Sequence, residues 1–592
     1  MAKDRTHLNN IFILGISCFY HDSAAVLIKD GQLVAAVQEE RFTRKKHDDS
    51  FPEQAVNYCL KKAGIVAGDL ACVCFYDKPL LKFERIVESF IRSWPNDFKM
   101  FLSAMPIWLK EKLWIKKLIR KKLNFNGPIY FSEHHMSHAA SAFFVSPFEE
   151  AAILTIDGVG EWATTAFGLG RDNKINIIKE INYPDSLGLF YSFFTHYLGF
   201  KPNSGEYKVM GLAPYGLPAQ AGQPIYEDKI RELIDIFPDG SFKLNRSVFK
   251  SFYGMGDIEA KFENIFGRPK RLPSDKLEQF HKDLAASIQK VTNDVVATIA
   301  NYVHKETGAD SLCLAGGVAL NCVANSGILK NTPFKKVFIQ PAAGDAGGAL
   351  GAAYFIWHQV FENKRSFVME HASWGPEFSN EEIKELLDKK GVEYKFLDYD
   401  QLLKTTADLI DKQNVIGWFQ GQMEWGPRAL GNRSILADPR NKENWQRVNL
   451  KIKFRESFRP FAPSVMEEYA SDFFDLPFPS PYMLFVAEVK TDNIPAVTHV
   501  DKTARLQTVN SRLSPLYHGL LEEFRKLTGC PVLINTSFNV RGEPIVCTPA
   551  DAFNTFIKTD IDYLVLGNFI LDKKETLKKY PFVPPQISPD AD

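Results

Sequence analysis

Short apolar runs separated by tight polar turns open the chain. Residues 11–16 are apolar, 18–23 read as a turn and 24–28 form a second run. Residues 29–32 are a hairpin turn and 33–37 a third run, which predicts a three-stranded meander. A helix is predicted near 52–63. The pattern then returns, with strands at 153–156, 164–168 and 175–179 and polar turns at 157–161 and 171–174. We read this as an internal duplication of one strand–turn–strand–turn–strand unit. The loop after the first strand carries polar groups each time, His21 and Asp22 and then Asp157 and Glu161. Duplicated units that face each other make a cleft with these loops on its walls.

Other elements follow the same logic. Residues 277–306 have the spacing of a long amphipathic helix. Residues 311–321 read as a strand, the pair Gly316-Gly317 and a helix start. That arrangement either exposes N–H groups to a phosphate or is simply a tight strand–helix turn. A strand at 337–340 leads to Asp345, which opens a small-residue helix able to pack close to a nucleotide. Residues 204–216 read as a glycine-punctuated loop. The stretch 82–123 is rich in aromatic and basic residues. It reads as a helical insertion with a solvated basic face rather than a membrane-surface helix.

Length and charge narrow the class. A chain of 592 residues exceeds one core. Charge and glycine patterns shift near 368–379, which divides it into 1–365, a linker at 366–379 and 380–592. Lys+Arg and Asp+Glu both number 71, so there is no global attraction to nucleic acid or to an anionic membrane. The eight cysteines form no CxxC pair, so Cys72 and Cys74 read as strand residues in a reducing cytosol. The polar residues 1–10 lack a signal-peptide core, and no apolar run approaches the ~20 residues of a membrane span. The tail from Tyr580, with its prolines, reads as extended.

The sharpest chemical signal is Glu133-His134-His135-Met136-Ser137-His138. On a helix His134 and His138 share one face, which is metal-ligand spacing or simply two ordinary polar rings. His135 is rotated away. A zinc-protease motif needs Glu after the first His, and here it comes before. Asp157 and Asp345 follow apolar strands whose ends can converge where open α/β sheets place ligands. Two imidazoles and two carboxylates suit Fe, Mn or Zn. Past the linker, loops at 415–434, 453–463, 503–507 and 532–543 place Arg, Lys, Asn and Ser beside apolar strands or turns. Arginine forks match phosphate oxygens two at a time, and amides and hydroxyls can both donate and accept.

These motifs together resemble the carbamoyltransferases of the nodulation and antibiotic-biosynthesis group, which includes tobramycin and cephamycin O-carbamoyltransferases. The resemblance runs over nearly the whole chain. It is carried by GISxxxHDS with EERFTR, EHHMSHAASA, IDGVGE, EYKVMGLAPYG, GGVALN and GDAGGALGAA. The departure is Ala346, where the family often has a second Asp. The fold it implies is a duplicated actin-like, sugar-kinase-like α/β domain, as in tRNA threonylcarbamoyl transferases, fused to an α+β YrdC-like domain that forms carbamoyl-adenylate.

By that resemblance His134, His138, Asp157 and Asp345 hold a divalent metal, with Fe2+ the usual ion and Mn or Zn the alternatives. His21 is the base near the acceptor hydroxyl, an ordinary imidazole titrating near pH 6.5. Nucleotide contacts fall to Gly158, Gly316, Gly317 and Asn321. Carbamoyl phosphate and its adenylate fall to Arg428, Lys453, Arg459, Arg505, Asn535 and Ser537, with Arg433, Arg455 and Arg541 beside them. The expected activity is ATP-dependent O-carbamoyl transfer to a small-molecule alcohol in the cytoplasm, with Mg2+ admitted alongside ATP and a homodimer left open.

Two other readings share parts of this picture. A tRNA threonylcarbamoyl-type enzyme would need a basic stripe for its polyanion. A sugar kinase or non-catalytic nucleotide-binding protein would leave the arginine-rich second part without a role. A hydrogenase-maturation carbamoyltransferase is set aside, because its zinc-finger cysteines are missing and the domain order is reversed.

Overall fold

Strands β1 (Phe12–Ser17), β2 (Ala24–Lys29), β3 (Gln32–Gln38), β4 (Leu70–Phe75) and β5 (Ile129–Phe131) form one sheet in the order 3-2-1-4-5. β1–β2 and β2–β3 pair antiparallel, while β1–β4 and β4–β5 pair parallel. The structure is a computed structural model describing residues 10–94, 98–110, 112–218, 222–249 and 255–584. The second sheet uses β6 (Glu150–Ile156), β7 (Ala163–Arg171) and β8 (Lys174–Asn182). A small hairpin of β9 (Ile234–Ile236) and β10 (Phe242–Leu244) intervenes before β11 (Ser311–Ala315) and β12 (Lys336–Ile339) complete it. Its order is 8-7-6-11-12, again with two antiparallel pairs followed by two parallel ones. Equal strand order and equal pairing directions establish the duplication, the actin-like, sugar-kinase-like α/β architecture.

The sheet centres are buried. All six residues of β1 are buried, as expected of a strand covered on both faces. The small-residue helix Asp345–Phe355 owes its composition to packing. A Cβ on Gly15 of β1 would lie 1.9 Å from the Ala349 carbonyl oxygen, and one on Gly351 would lie 1.7 Å from that of Ser137. The helix is thus pressed between β1 and the helix His134–Phe143. Gly351→Ala is expected to lower stability by about 2–3 kcal/mol, because two backbones must separate. Calorimetry checks this, and an unchanged melting temperature would contradict the close packing.

Between β4 and β5 lie the helices Pro79–Ser93, Phe98–Lys110 and Ile115–Leu123. Ile86, Phe90 and Trp108 form their core, and Lys116, Lys117, Arg120, Lys121 and Lys122 are exposed on the predicted basic face. Residues 95–97 and 111 of this stretch lie outside the described residues, as do 1–9 and the end of the proline-containing tail.

The predicted loop at 204–216 is a helix instead, Glu206–Leu212, continued by a short 3-10 turn, Ala213–Tyr215. Glu206 favours the first turn, and Tyr207 to Met210 contain no breaker. Gly211 costs a helix only about 1 kcal/mol.

The chain divides into two compact units. The first holds both five-stranded sheets. The second comprises residues 370–592 with two short segments from earlier in the chain, 44–46 and 207–216. Its sheet has eight strands in the order Lys395–Phe396, Phe569–Asp572, Tyr563–Leu566, Ile416–Phe419, Arg433–Ala437, Val532–Ser537, Ala462–Met466 and Gln507–Val509. Two of its pairings are parallel and the rest antiparallel, so this unit is a mixed α+β layer, with Trp418, Leu533 and Val565 in its core.

Candidate active site

The strand ends of the first unit converge on four side chains. His134 and His138 lie one turn apart, and their Nε2 atoms are 3.1 Å from each other. Asp157, just past β6, places Oδ2 2.8 Å from His134 Nε2 and 3.4 Å from His138 Nε2. Asp345, past β12, places Oδ1 3.7 Å and 3.6 Å from the same two nitrogens. One ligand atom from each of the four lies within 4.8 Å of the others. Asp345 is 1% exposed, and neither carboxylate oxygen has a hydrogen-bond partner. A buried, unpartnered carboxylate is costly unless a cation neutralises it. The donor set and this orphaned carboxylate therefore fit a divalent first-row ion.

Surrounding residues hold the cluster in place. Both carboxylate oxygens of Glu161 accept the N–H of His134, at 3.1 and 3.0 Å, so the second loop caps the histidine helix with a charge that suits its positive end. His135 points elsewhere, to Thr155 Oγ1 at 2.7 Å. Burial, with His134 and His138 beside it, pushes its pKa down to about 3. His138 is opposite in sign: burial lowers it, but Asp157 and Asp345 outweigh that and raise it to about 9.

For Gly316 and Gly317 the sequence left open either N–H groups exposed to a phosphate or a tight strand–helix turn. In the structure Gly316 N donates to the Ala343 carbonyl at 2.9 Å, and Gly317 N donates to Asp157 Oδ1 at 2.9 Å. Gly316 has φ +92°, and a Cβ there would meet the Ile156 carbonyl at 2.2 Å. The turn thus orients Asp157. Asn321 caps the helix Cys322–Asn331 by accepting from Ala324 N and is tied to Gln289. The Gly158 carbonyl accepts from Ser186 Oγ at 2.6 Å.

His21 reaches this centre from the first loop. Its Nε2 is 3.7 Å from Asp345 Oδ2, and its Nδ1 is 2.9 Å from Asp22 Oδ2. Asp22 Oδ1 in turn lies 2.8 Å from His47 Nδ1, and His47 Nε2 lies 3.1 Å from Ser204 Oγ. His47 was not singled out from sequence. The ordinary imidazole expected at His21 is corrected: burial lowers its pKa, but Asp345, Asp22 and Asp157 outweigh that and hold it up at about 10.

The second unit gathers cations. Lys453 Nζ donates to the Ser537 carbonyl at 2.6 Å, to Ser537 Oγ at 3.1 Å and to the Asn539 carbonyl at 2.9 Å. Burial, with Arg455 and Arg459 alongside, holds its pKa well below the usual lysine range. Burial and Arg459 act on Arg455 in the same direction, and Arg505 adds to that field. Arg459 lies 4.7 Å over the Tyr207 ring and 3.6 Å from Glu456 Oε2. Glu456 also faces Lys208 at 3.7 Å and Arg541 at 3.4 Å. Burial raises its pKa, but these three cations outweigh that and bring it down to about 2.

Asn535 donates to Ser464 Oγ and Gln507 Oε1, both at 3.0 Å, and its own buried Oδ1 has no partner. Gln507 donates onward to the Leu430 carbonyl at 2.7 Å, which ties Asn535 to the loop bearing Arg428. That loop is built on Glu424, whose Oε1 accepts from the N–H groups of Leu430, Asn432 and Arg433. Arg433 plays a different part from its neighbours. It is fully buried, donates to the carbonyls of Gln420, Asn432, Pro376 and Gly421, and stacks 3.6 Å over Phe419, so it holds the fold.

The geometry defines a class, a two-part α/β protein with an actin-like first part that carries a His2Asp2 centre in its cleft. Family models described as carbamoyltransferase N-terminus and carbamoyltransferase C-terminus match residues 12–354 and 407–573, so the chain belongs to the carbamoyltransferase family and is an enzyme of carbamoyl transfer. It is 51% identical over 599 residues to the uncharacterized protein sll1178 of Synechocystis, covering 95% of this chain and 96% of that one. It is 39% identical over 566 residues to the nodulation protein NolNO of Sinorhizobium fredii, covering 94% and 79%. Full-length HypF, solved in a phosphate- and nucleotide-bound form, aligns with 60% of this chain and 56% of its own, at 14% identity and a TM-score of 0.33. Among the described residues no helix is long and apolar enough to cross a membrane.

Proposed function

We propose that this carbamoyltransferase works in two steps and that its acceptor is the hydroxyl of a small molecule. In the second unit carbamoyl phosphate and ATP yield carbamoyl-adenylate, diphosphate and phosphate. The balance consumes one water, since both phosphate and diphosphate leave. In the first unit the alcohol oxygen attacks the carbamoyl carbon, AMP leaves, and the hydroxyl proton goes to His21.

The observation that carries this reading is the cluster of Lys453, Arg455 and Arg459 with Lys208 and Arg541, balanced mainly by Glu456. Cations crowded to this degree lower one another's pKa values unless an anion joins them, and two phosphate-bearing substrates supply that anion. Arginine forks bind phosphate oxygens in pairs, while Lys453, whose donors go to Ser537 and Asn539, adds its charge to that field.

His134, His138, Asp157 and Asp345 would hold Fe2+, Mn or Zn, and a bound ion would supply Lewis-acid neutralisation of the adenylate phosphate. The chain's own contribution is orientation. Gly317 fixes Asp157, Glu161 fixes the histidine helix and Asp22 fixes the His21 ring. A divalent cation on Asp345 and Asp157 would also offset the charge that raises His21, which favours the imidazole able to accept a proton.

Elemental analysis of protein purified without chelator is expected to give about one first-row metal per chain. Asp345→Asn and His138→Ala are each expected to reduce that content at least about tenfold. Metal retained in both variants would refute the ligand set. Radiolabelled carbamoyl phosphate, supplied with ATP and a panel of sugar, polyketide and alkaloid alcohols, tests the transfer itself. Label reaching a hydroxyl only when ATP is present supports the reading, and label transfer without ATP contradicts it.

A further inference from the structure

The first unit contains a cavity of 310 Å³ that the reaction outlined above leaves unused. It is lined by the segment Cys18, Phe19 and Tyr20, which immediately precedes His21, and by Val159, two residues past Asp157. Phe75, Tyr183 and Leu189 also line it, and the helical insertion between β4 and β5 supplies the largest share, with Trp108 and Ile115 among its residues. The corresponding crossover of the second repeat, between β11 and β12, spans only residues 316–335, against 76–128 here. This cavity is therefore an addition to the duplicated fold. It abuts the reacting centre, because the Tyr20 and His21 rings are 4.7 Å apart.

Its polar lining is unbalanced. Lys82 is paired with Asp77 at 2.7 Å, and Lys112 donates to the Phe19 carbonyl at 2.8 Å. Arg85 is 4% exposed, lines the same cavity and has neither Nε nor Nη1 hydrogen-bonded. Its guanidinium lies 5.3 Å over the Tyr183 ring. A buried guanidinium with unmet N–H donors is costly, and an oxyanion on its Nη1/Nη2 edge relieves part of that cost.

We infer that this cavity is the acceptor pocket and that the natural acceptor is an alcohol bearing an anionic group, a carboxylate, sulfate or phosphate, which Arg85 binds while the hydroxyl faces His21. The aromatic walls suit a flat apolar body between the two groups. This rests on the proposed alcohol acceptor, but its test needs no carbamoyl chemistry, so the two readings fail separately.

The test is calorimetric binding of three probes of one shape to the full chain: 4-(hydroxymethyl)benzoate, 4-(hydroxymethyl)phenyl phosphate and neutral 1,4-benzenedimethanol. At least one anionic probe is expected to bind about tenfold or more tightly than the neutral one, and the better of the two identifies the anion. Arg85→Met, which keeps the apolar stem, is expected to bring that preference below about twofold, with acceptor-free diphosphate release unchanged. Should that variant fail to fold, Arg85→Lys carries the test, with the anion preference reduced severalfold and the neutral probe unaffected. Equal binding of all three probes, no binding of either anion, an undiminished preference in the Arg85 variants, or displacement of the probe by AMP would overturn the assignment.

Discussion

Replacing Arg459 by alanine is expected to abolish diphosphate release from ATP and carbamoyl phosphate, by at least about 100-fold. Arg459 is the cation that lowers the pKa of both Lys453 and Arg455, so it lies where their charges meet. Its guanidinium rests on Tyr207 and is only 3.6 Å from Glu456, a contact longer than a hydrogen bond. The fork is therefore available to phosphate oxygens and is not committed to the fold, as Arg433 is. Removing it still leaves Glu456 facing Lys208 and Arg541, so the melting temperature is expected to stay near that of the wild type. Arg459→Lys should recover part of the rate, because it restores a charge without the paired donors. Near-normal diphosphate release in Arg459→Ala would remove the second unit's cation cluster from the first step.

The second large effect is expected at His21, and it separates the two steps. His21→Ala should leave diphosphate release intact and reduce carbamoyl transfer to an accepted alcohol by 10²–10⁴-fold, the usual worth of a general base. The ring faces Asp345 on one side and is oriented by Asp22 on the other, and in the proposed mechanism it takes the hydroxyl proton, so its loss should stop that step. His134, His138, Asp157 and Asp345 are untouched, and metal content should match the wild type. A normal transfer rate in this variant would exclude His21 as the base, and a loss of diphosphate release would place it in the first step instead.

Much of this site was legible in the sequence because its signals are local. Four-residue spacing put His134 and His138 on one face, and the repeated turn pattern revealed two copies of one unit before any pairing was seen. Asp157 and Asp345 could be suspected because each follows an apolar strand. What escaped was long-range hydrogen bonding. Nothing near Gly317 indicates that its N–H serves Asp157, 160 positions away, and nothing near Glu161 marks it as the cap of the histidine helix. Glu456 and Glu424 were passed over for a related reason. Glu456 follows Arg455 and so resembles a surface pair, Glu424 lies between Met423 and Trp425 with nothing to mark it, and the several partners each meets in the fold are what give it its role.

One error came from glycine. Gly211 suggested a loop where the flanking residues were strong enough to continue a helix, whereas of the two readings of Gly316-Gly317 the hydrogen bonds match the tight turn, where close approach to Ile156 and Asp157 requires the small residue. The nearly all-small helix Asp345–Phe355 likewise reflects two backbones in contact.

The most direct test of the two-step account is to incubate the metal-loaded chain with ATP and carbamoyl phosphate, without acceptor, and to quantify diphosphate, phosphate, ADP and adenylate together. The account predicts that diphosphate and phosphate appear in equal amounts, that both substrates are required, and that no ADP forms. ADP as the nucleotide product, or diphosphate release without carbamoyl phosphate, would contradict it.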